Sequence, residues 1–276
     1  MPKLGIIAGS GRFPAFIADA AKADGWEVVI FAIEGEANEA ELTKKVKTIH
    51  WLQLGQLGHL IELFHKEKIR DAVMAGKVQK KRIYGNPKFD ERAIQMMLRL
   101  KDSADDSLLG AVTKELESEG IKLHPSTFCI KELLAPKGVL TKVGPTEEQC
   151  RDIRFGWHIA KSIGKLDIGQ TVVIKGTAVM AVEAIEGTDE AILRGGKLGG
   201  QGAVVVKVAK PQQDTRFDMP AVGLRTIEAM VEVGARVLAI EAGWTVLLER
   251  DEMLALAEES GIIVAAYTEP PGEDRT

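Results

Sequence analysis

Apolar positions along this chain fall into short runs separated by turn residues and by amphipathic stretches. Leu4–Ala8, Trp26–Ile33, Lys47–Leu52 and Asp71–Ala75 are continuous apolar runs of strand length. Between them, Pro14–Ala23 and Gln56–His65 carry apolar residues at helical spacing. Further amphipathic helices are expected over residues 89–101 and 105–119. A short helix is expected to follow His124-Pro125-Ser126-Thr127, through Leu134. Strands that alternate with helices, and that are apolar on both faces, predict a parallel or mostly parallel sheet covered on two sides.

The texture changes after two breaker clusters, Ala135-Pro136-Lys137-Gly138 and Val143-Gly144-Pro145-Thr146. We place a linker at 136–146, between a domain of residues 1–135 and a domain of residues 147–276. Thr146-Glu147-Glu148-Gln149 is a helix start of the capping-box type, and the helix is expected to run to Ile163. Thr171–Lys175 and Ala178–Ala184 are β-branched and apolar, joined at Gly176-Thr177 as a hairpin. Gly195-Gly196-Lys197-Leu198-Gly199-Gly200-Gln201-Gly202 is read as a loop whose backbone N–H groups and Lys197 could meet an anion. Ala203–Ala209, Val237–Ile240, Thr245–Leu248 and Ile262–Ala266 complete the strands. Helices are expected from Val222 to Val233, with the chain turning helical after Pro220, and from Asp251 to Ser260. The fold class is α/β: an N-terminal Rossmann-like parallel-sheet domain plus a C-terminal mixed α/β domain, with the ligand expected in the interdomain cleft.

Composition narrows the function classes. The 276 residues are 45% hydrophobic and 28% charged, with a net charge of −4. No basic block of the nucleic-acid-binding kind stands out, so nucleic acid is not an expected partner. Cys129 and Cys150 lack metal-site or CxxC spacing and fit a reducing, cytoplasmic setting. The first residues carry too short an apolar run for a signal peptide, and no window reaches the roughly 18 apolar residues of a membrane span.

Candidate chemistry gathers at strand ends. Gly9-Ser10-Gly11 follows the first strand, where glycines let backbone N–H groups approach a phosphate. The motif reads GxGxxP where a dinucleotide fingerprint has GxGxxG, with Glu34 standing where a ribose-binding acid would be. Gly76 and Lys77, followed by Lys80, Lys81 and Arg82, end the fourth strand and suit a phosphate or a solvated turn. The most charged junction is Thr215-Arg216-Phe217-Asp218-Met219-Pro220. Pro220 favours extended backbone before it, which puts Asp214, Arg216 and Asp218 on one side, with the arginine keeping both carboxylates ionised. Asp218 could accept a proton from water, hold a divalent cation, or simply cap a helix. His50, His59, His65, His124 and His158 form no ligand cluster in the sequence, which argues against a dinuclear phosphoesterase. His124, beside Pro125, reads as a structural histidine.

Taken together, GIIAGSGRFP, AGKVQK, KGTAVMAVEAIEGTDEAILRGG and TRFDMPAVGLRTIE resemble, in order and over nearly the whole chain, the LpxI-type UDP-2,3-diacylglucosamine pyrophosphatase family of diderm bacteria. The resemblance implies hydrolysis of that pyrophosphate to UMP and 2,3-diacylglucosamine 1-phosphate, a step of lipid A biosynthesis. It also implies dependence on a divalent cation, usually magnesium. The family's essential aspartate falls on Asp218, with Arg216 beside it as a second catalytic candidate. Substrate-binding candidates are Gly9, Ser10, Gly11, Gly76, Lys77, Lys175, Gly176, Thr177, Glu183, Lys197, Lys207 and Thr226. For metal, Asp218 and Asp214 are the candidates. The expected partners are a glycolipid nucleotide and, transiently, the cytoplasmic face of the inner membrane, with homodimerisation left open. No clear amphipathic anchor stands out in the sequence. An NAD-dependent oxidoreductase and a non-catalytic nucleotide-sugar lipid-binding protein are the competing readings.

Overall fold

The computed structural model describes residues 1–76, 78, 88–100, 105–216 and 219–272, residues 105–107 by backbone alone. The chain falls into two compact units, Met1–Lys131 with the segment that starts at Asp214, and Glu132–Gln213 with Met219–Thr276.

The first unit is built on a five-stranded sheet of order β3-β2-β1-β4-β5, parallel throughout. Its strands are β1 Lys3–Ala8, β2 Glu27–Ile33, β3 Thr48–Leu52, β4 Asp71–Ala75 and β5 Lys122–His124. The described helices of this unit are α1 Phe13–Ala23, α2 Glu39–Lys45, α3 Leu57–Glu67, α4 Glu91–Leu98 and α5 Asp105–Ser118. Leu4, Ile6 and Ala8, on one face of β1, have no exposed surface, and Gly5, on the other, lies under the Phe64 ring, as a central strand covered on both faces requires. Phe31 from β2 stacks on Phe64 from α3, ring centroids 4.2 Å apart. Two elements differ from expectation. α2 is polar and short, and its start is marked by Asn38, whose side chain accepts from the Glu41 N–H. The stretch read as a helix after His124 follows strand β5 as a loop with a single 3₁₀ turn, Lys131–Leu133.

The second unit holds a six-stranded sheet of order β6-β13-β11-β9-β7-β8. Its strands are β6 Gly138–Val139, β7 Thr171–Lys175, β8 Ala178–Val182, β9 Val204–Lys207, β11 Val237–Glu241 and β13 Ile263–Tyr267. β9, β11 and β13 are parallel; β7 runs antiparallel to β9 and β6 antiparallel to β13, and β8 pairs antiparallel to β7. β10 Ala221–Val222 and β12 Val246–Leu247 form a separate parallel pair. The helices are α6 Glu147–Lys165, α7 Thr188–Gly199, α8 Leu224–Val233 and α9 Arg250–Glu259. The capping box at Thr146 and Gln149 is present. α6 covers one face of the sheet through Ile153, Trp157 and Ala160. α7, α8 and α9 cover the other through Ile192, Ile227, Met230 and Met253.

Three expectations are corrected here. The stretch read as a linker supplies β6, an edge strand paired with β13, and Leu140 donates its N–H to Val264 O at 2.8 Å. Pro220 does not open a helix. Its carbonyl accepts from Val246 N at 2.8 Å, residues 221–222 stay extended in the β10–β12 pair, and α8 starts only after Gly223. The glycine-rich stretch is not a loop, because Gly195, Gly196 and Gly199 lie in α7. A Cβ on Gly195 would stand 2.6 Å from Val173 Cβ, and one on Gly196 would overlap the Val233 side chain of α8. The glycines serve close helix–sheet and helix–helix approach.

A substitution follows directly. Gly196→Ala is expected to destabilise the protein by about 1–3 kcal/mol, the usual cost of overpacking a dense core. Val233→Ala in the same chain should restore part of that loss. Urea midpoints of the two variants against wild type are the check.

Candidate functional site

In the first unit the carboxyl ends of β1 and β4 meet. Gly9 N donates to Ala75 O at 2.8 Å, so the N–H expected to face a phosphate is part of the ladder. Gly76 has φ +85°, and a Cβ there would come within 2.5 Å of Ser10 O, so only glycine lets the two strand ends approach so closely. Gly11, at φ +90°, has open space around it and leads into α1. Glu34 follows β2 and, with Gly35, Ala37, Glu39 and Trp51, lines an open hollow of about 400 Å³. The two carboxylates there disfavour a phosphate. Lys77, Lys80, Lys81 and Arg82 lie outside the described residues.

His124 is structural in its contacts. Its Nε2 lies 2.7 Å from Asp71 Oδ1, and its ring stacks on Phe128 at 4.0 Å, which in turn meets Trp26 edge-on.

The charged junction packs with the first unit. Thr215 O accepts from both the N–H and the hydroxyl of Ser126, at 2.9 and 3.3 Å. Backbone at Thr215–Arg216 is a turn, not the extended chain expected. Asp214 closes that turn by accepting from Arg216 N at 3.0 Å. It also receives the guanidinium as a fork, Nε to Oδ1 at 3.0 Å and Nη2 to Oδ2 at 2.7 Å. Arg216 Nη1 reaches Glu117 at 3.3 Å. The hydrogen bonds from Arg216 hold the Asp214 carboxyl below its ordinary range against an opposing effect of partial burial, and Asp214 in turn raises the Arg216 guanidinium. Both oxygens of Asp214 are therefore occupied, which argues against it as a metal ligand. No group of three or more His, Cys, Asp or Glu that could hold a metal ion is found among the described residues. Asp218 lies outside the described residues.

In the second unit, antiparallel register sorts the candidate residues into two groups. Thr171 of β7 pairs with Lys207 of β9, so Lys175 lies at the other end of the sheet, four residue steps or about 13 Å away. At the far end, Lys175 donates to Gln201 O at 2.8 Å. The N–H groups of Gly176 and Thr177 are taken by the buried Asp152 carboxylate, at 3.0 and 2.6 Å, so they are not open donors for a phosphate. Lys197 is exposed on the last turn of α7.

Glu183, Lys207 and Thr226 come together at the carboxyl edge of β9, where α7 and α8 begin. Lys207 Nζ donates to Thr188 Oγ1 at 2.8 Å, and that hydroxyl donates to Glu183 Oε1 at 2.9 Å. Lys207 and Glu183 are 4% and 6% exposed, so the ammonium and carboxylate are compensated through a hydroxyl inside the protein. Glu183 Oε2 also accepts from Gln170 N at 3.3 Å, and Thr226 Oγ1 lies 3.4 Å from Asp189. Thr171 Oγ1 and Gln170 Oε1 are buried beside this chain with no hydrogen-bond partner among the described residues. Thr188, Gln170, Thr171 and Asp152 were not anticipated. Their only sequence signal is polarity at positions flanking strands. A lysine at the carboxyl edge of a parallel sheet, next to two helix N-termini, is an arrangement suited to an anion. Glu241, at the same edge of β11, accepts from Lys161 and from Ala209 N at 2.7 Å, which locks the strand ends to α6.

Fold and site thus define a two-unit α/β protein with polar groups gathered at strand ends, one unit Rossmann-like and the other mixed. The LpxI N-terminal domain model matches residues 3–133, and the LpxI C-terminal domain model matches residues 136–265. The chain belongs to the LpxI family. It is 30% identical over 280 residues to the protein named UDP-2,3-diacylglucosamine pyrophosphatase LpxI of Caulobacter vibrioides, covering 96% of this chain and 97% of that one. Among solved structures, the biotin carboxylase subunit of pyruvate carboxylase is similar at 13% identity over 67% of this chain and 39% of that chain. Its TM-score of 0.28 carries no argument.

Two measurements test this geometry. A carboxylate whose folded pKa is depressed contributes stability that is present above its unfolded value of about 3.9 and lost as pH falls through the folded value. Asp214→Asn should therefore lower the thermal midpoint at pH 7, and the gap to wild type should close as the pH drops below about 4. Lys207→Met should cost about 3–5 kcal/mol by leaving Glu183 charged and buried. Adding Glu183→Gln should recover much of that loss in a chemical-denaturation double-mutant cycle.

Proposed function

We propose that this protein hydrolyses the pyrophosphate of UDP-2,3-diacylglucosamine to UMP and 2,3-diacylglucosamine 1-phosphate, a step of lipid A biosynthesis. The observation that carries the reading is the match of both LpxI domain models, in order, together with end-to-end similarity to a relative named for that activity. The reaction consumes one water. Its oxygen bonds to one phosphorus, the bridging P–O bond breaks, and the bridging oxygen leaves on the other phosphate. The obstacle is electrostatic, because both phosphorus centres carry anionic oxygens that repel an incoming nucleophile. Catalysis must therefore neutralise the phosphates and hold the water in line.

In this reading Asp218 orients or deprotonates that water. Arg216 is a positioning residue, since its guanidinium is engaged by Asp214 and Glu117. Ser126 anchors the chain at Thr215, three residues ahead of Asp218. Lys207, supported by Thr188 and Glu183, is the cation we assign to a phosphate. Magnesium commonly takes one or two carboxylates plus substrate phosphate, and it would shield phosphate charge. Asp218 is the carboxylate we assign to such an ion. The substrate is an amphiphile, which suits a protein working at the cytoplasmic face of the inner membrane. None of the described helices is long and apolar enough to cross a membrane.

Turnover of UDP-2,3-diacylglucosamine with magnesium, followed by UMP release, is the test. Wild type should turn over, and Asp218→Ala should lose about a hundredfold or more in kcat while still binding substrate. A variant as fast as wild type would remove Asp218 from the mechanism. An inactive wild type that still binds substrate would leave a binding protein in place of an enzyme.

A further inference from the structure

α4 is apolar beyond its buried side. Its inner side places Ala93 and Met96 in the core of the first unit. The helix is fixed there by more than packing. Asp90 accepts from Ala93 N at 2.9 Å as the cap and from Gly58 N at 2.7 Å across to α3. Arg92 pairs with Glu115 at 2.9 Å and with Glu119 at 2.7 Å. With the inner side pinned, Ile94, Met97 and Leu98 are held outward, at 47%, 37% and 81% exposure. Their spacing of three and four residues makes one stripe along an eight-residue helix. Scattered exposed apolar residues are ordinary. A stripe that the fold actively turns toward solvent marks a contact surface.

Charge selects the partner. Residues 77–101 contain eight Lys or Arg and two acids, in a chain whose net charge is −4. Of the two acids, Asp90 is engaged in capping, and Glu91 sits in the first turn beside Gln95. Arg99 directly follows the stripe and is largely exposed, with its Nη1 3.3 Å from Glu115. Lys77, Lys80, Lys81, Arg82 and Lys101 count here by sequence alone, since they lie outside the described residues. An apolar stripe embedded in locally basic sequence matches the interface of an anionic bilayer, where side chains enter the headgroup boundary and cations face lipid phosphates.

We infer that the outer side of α4 docks this protein on an anionic lipid surface. The inference deepens the proposed activity, whose acylated substrate resides in such a surface, by naming the element that makes contact.

Flotation of the full chain with vesicles tests it, comparing 3:1 phosphatidylethanolamine:phosphatidylglycerol with phosphatidylcholine alone. Wild type should float with the anionic vesicles and far less with the neutral ones, and 0.5 M NaCl should weaken the association. Ile94→Ser/Leu98→Ser should reduce partition about tenfold or more. Both side chains are exposed, so its circular dichroism and its turnover of detergent-dispersed substrate should match wild type. Flotation of the double variant equal to wild type overturns the inference, as does failure of wild type to float. If the variant changes oligomeric state without vesicles while floating like wild type, the stripe joins two copies of the chain and the lipid assignment falls. Flotation needs no turnover, so absent hydrolysis with intact flotation sinks the activity and leaves the surface standing. The opposite result does the reverse.

Discussion

A polar group carried into a dry interior has to be paired there, and that constraint decides what the strand ends of this protein can do. Both sheets are covered on two faces, and many polar groups at their strand ends are paired within the protein, even at the exposed Gly176–Thr177 turn. The protein answers with fixed partners. Gly9 N meets Ala75 O between β1 and β4. Asp152 receives the two N–H groups of the β7–β8 turn. Glu241 receives Ala209 N together with the Lys161 ammonium. Each pairing removes a donor that a reading of loose loops would have offered to a ligand. What is left for chemistry is where buried charge gathers beside polar atoms that lack a partner. The Lys207–Thr188–Glu183 chain, beside Thr171 and Gln170, fits that description among the described residues.

The strands were legible because their signal is direct. Runs such as Leu4–Ala8 and Val204–Lys207 are apolar without interruption, and burial on two faces demands that. The elements that went unread lack such a signal. α2 has one buried side chain, Leu42, and is defined by its Asn38 cap. β5 is three residues long and ends before Pro125. The α7 glycines misled for a different reason. Five glycines in eight residues read as freedom of the backbone, whereas here three of them answer a shortage of space set by Val173, Val233 and Met180, which lie elsewhere in sequence. Pro220 is the same case. Its fixed φ suits a helix start and a strand alike, and the partner that decides, Val246, comes 26 residues later.

Site residues divided along the same line. Lys207, Glu183 and Thr226 share one edge, and Lys175, Gly176, Thr177 and Lys197 share the other. That separation follows from the antiparallel register of β7 between β8 and β9. Spacing in the sequence cannot give it, because reversing a strand moves a residue from one end of the sheet to the other without changing its neighbours. Thr188 shows the limit most plainly. As an isolated threonine at a helix start it reads as ordinary, yet it is the atom bridge between the buried ammonium and the buried carboxylate.

The arginine of the charged junction carries the last step. Charge already neutralised by two carboxylates is weakly available to a third anion, because the field of the fork around Asp214 is largely closed on itself. Arg216 reaches Glu117 as well, so its cationic end is engaged on both sides. Its position next to the motif aspartate is then better explained by shape. The fork closes a turn at Asp214–Arg216 while Ser126 holds the carbonyl of Thr215 between them, and the backbone conformation that results is set by bonds on both flanks. In the proposed reaction the phosphates must find their counter-charge elsewhere. Lys207 meets that need for a physical reason. Its ammonium lies at the carboxyl end of β9, where α7 begins with its N–H groups, and a cation beside a helix N-terminus favours an anion.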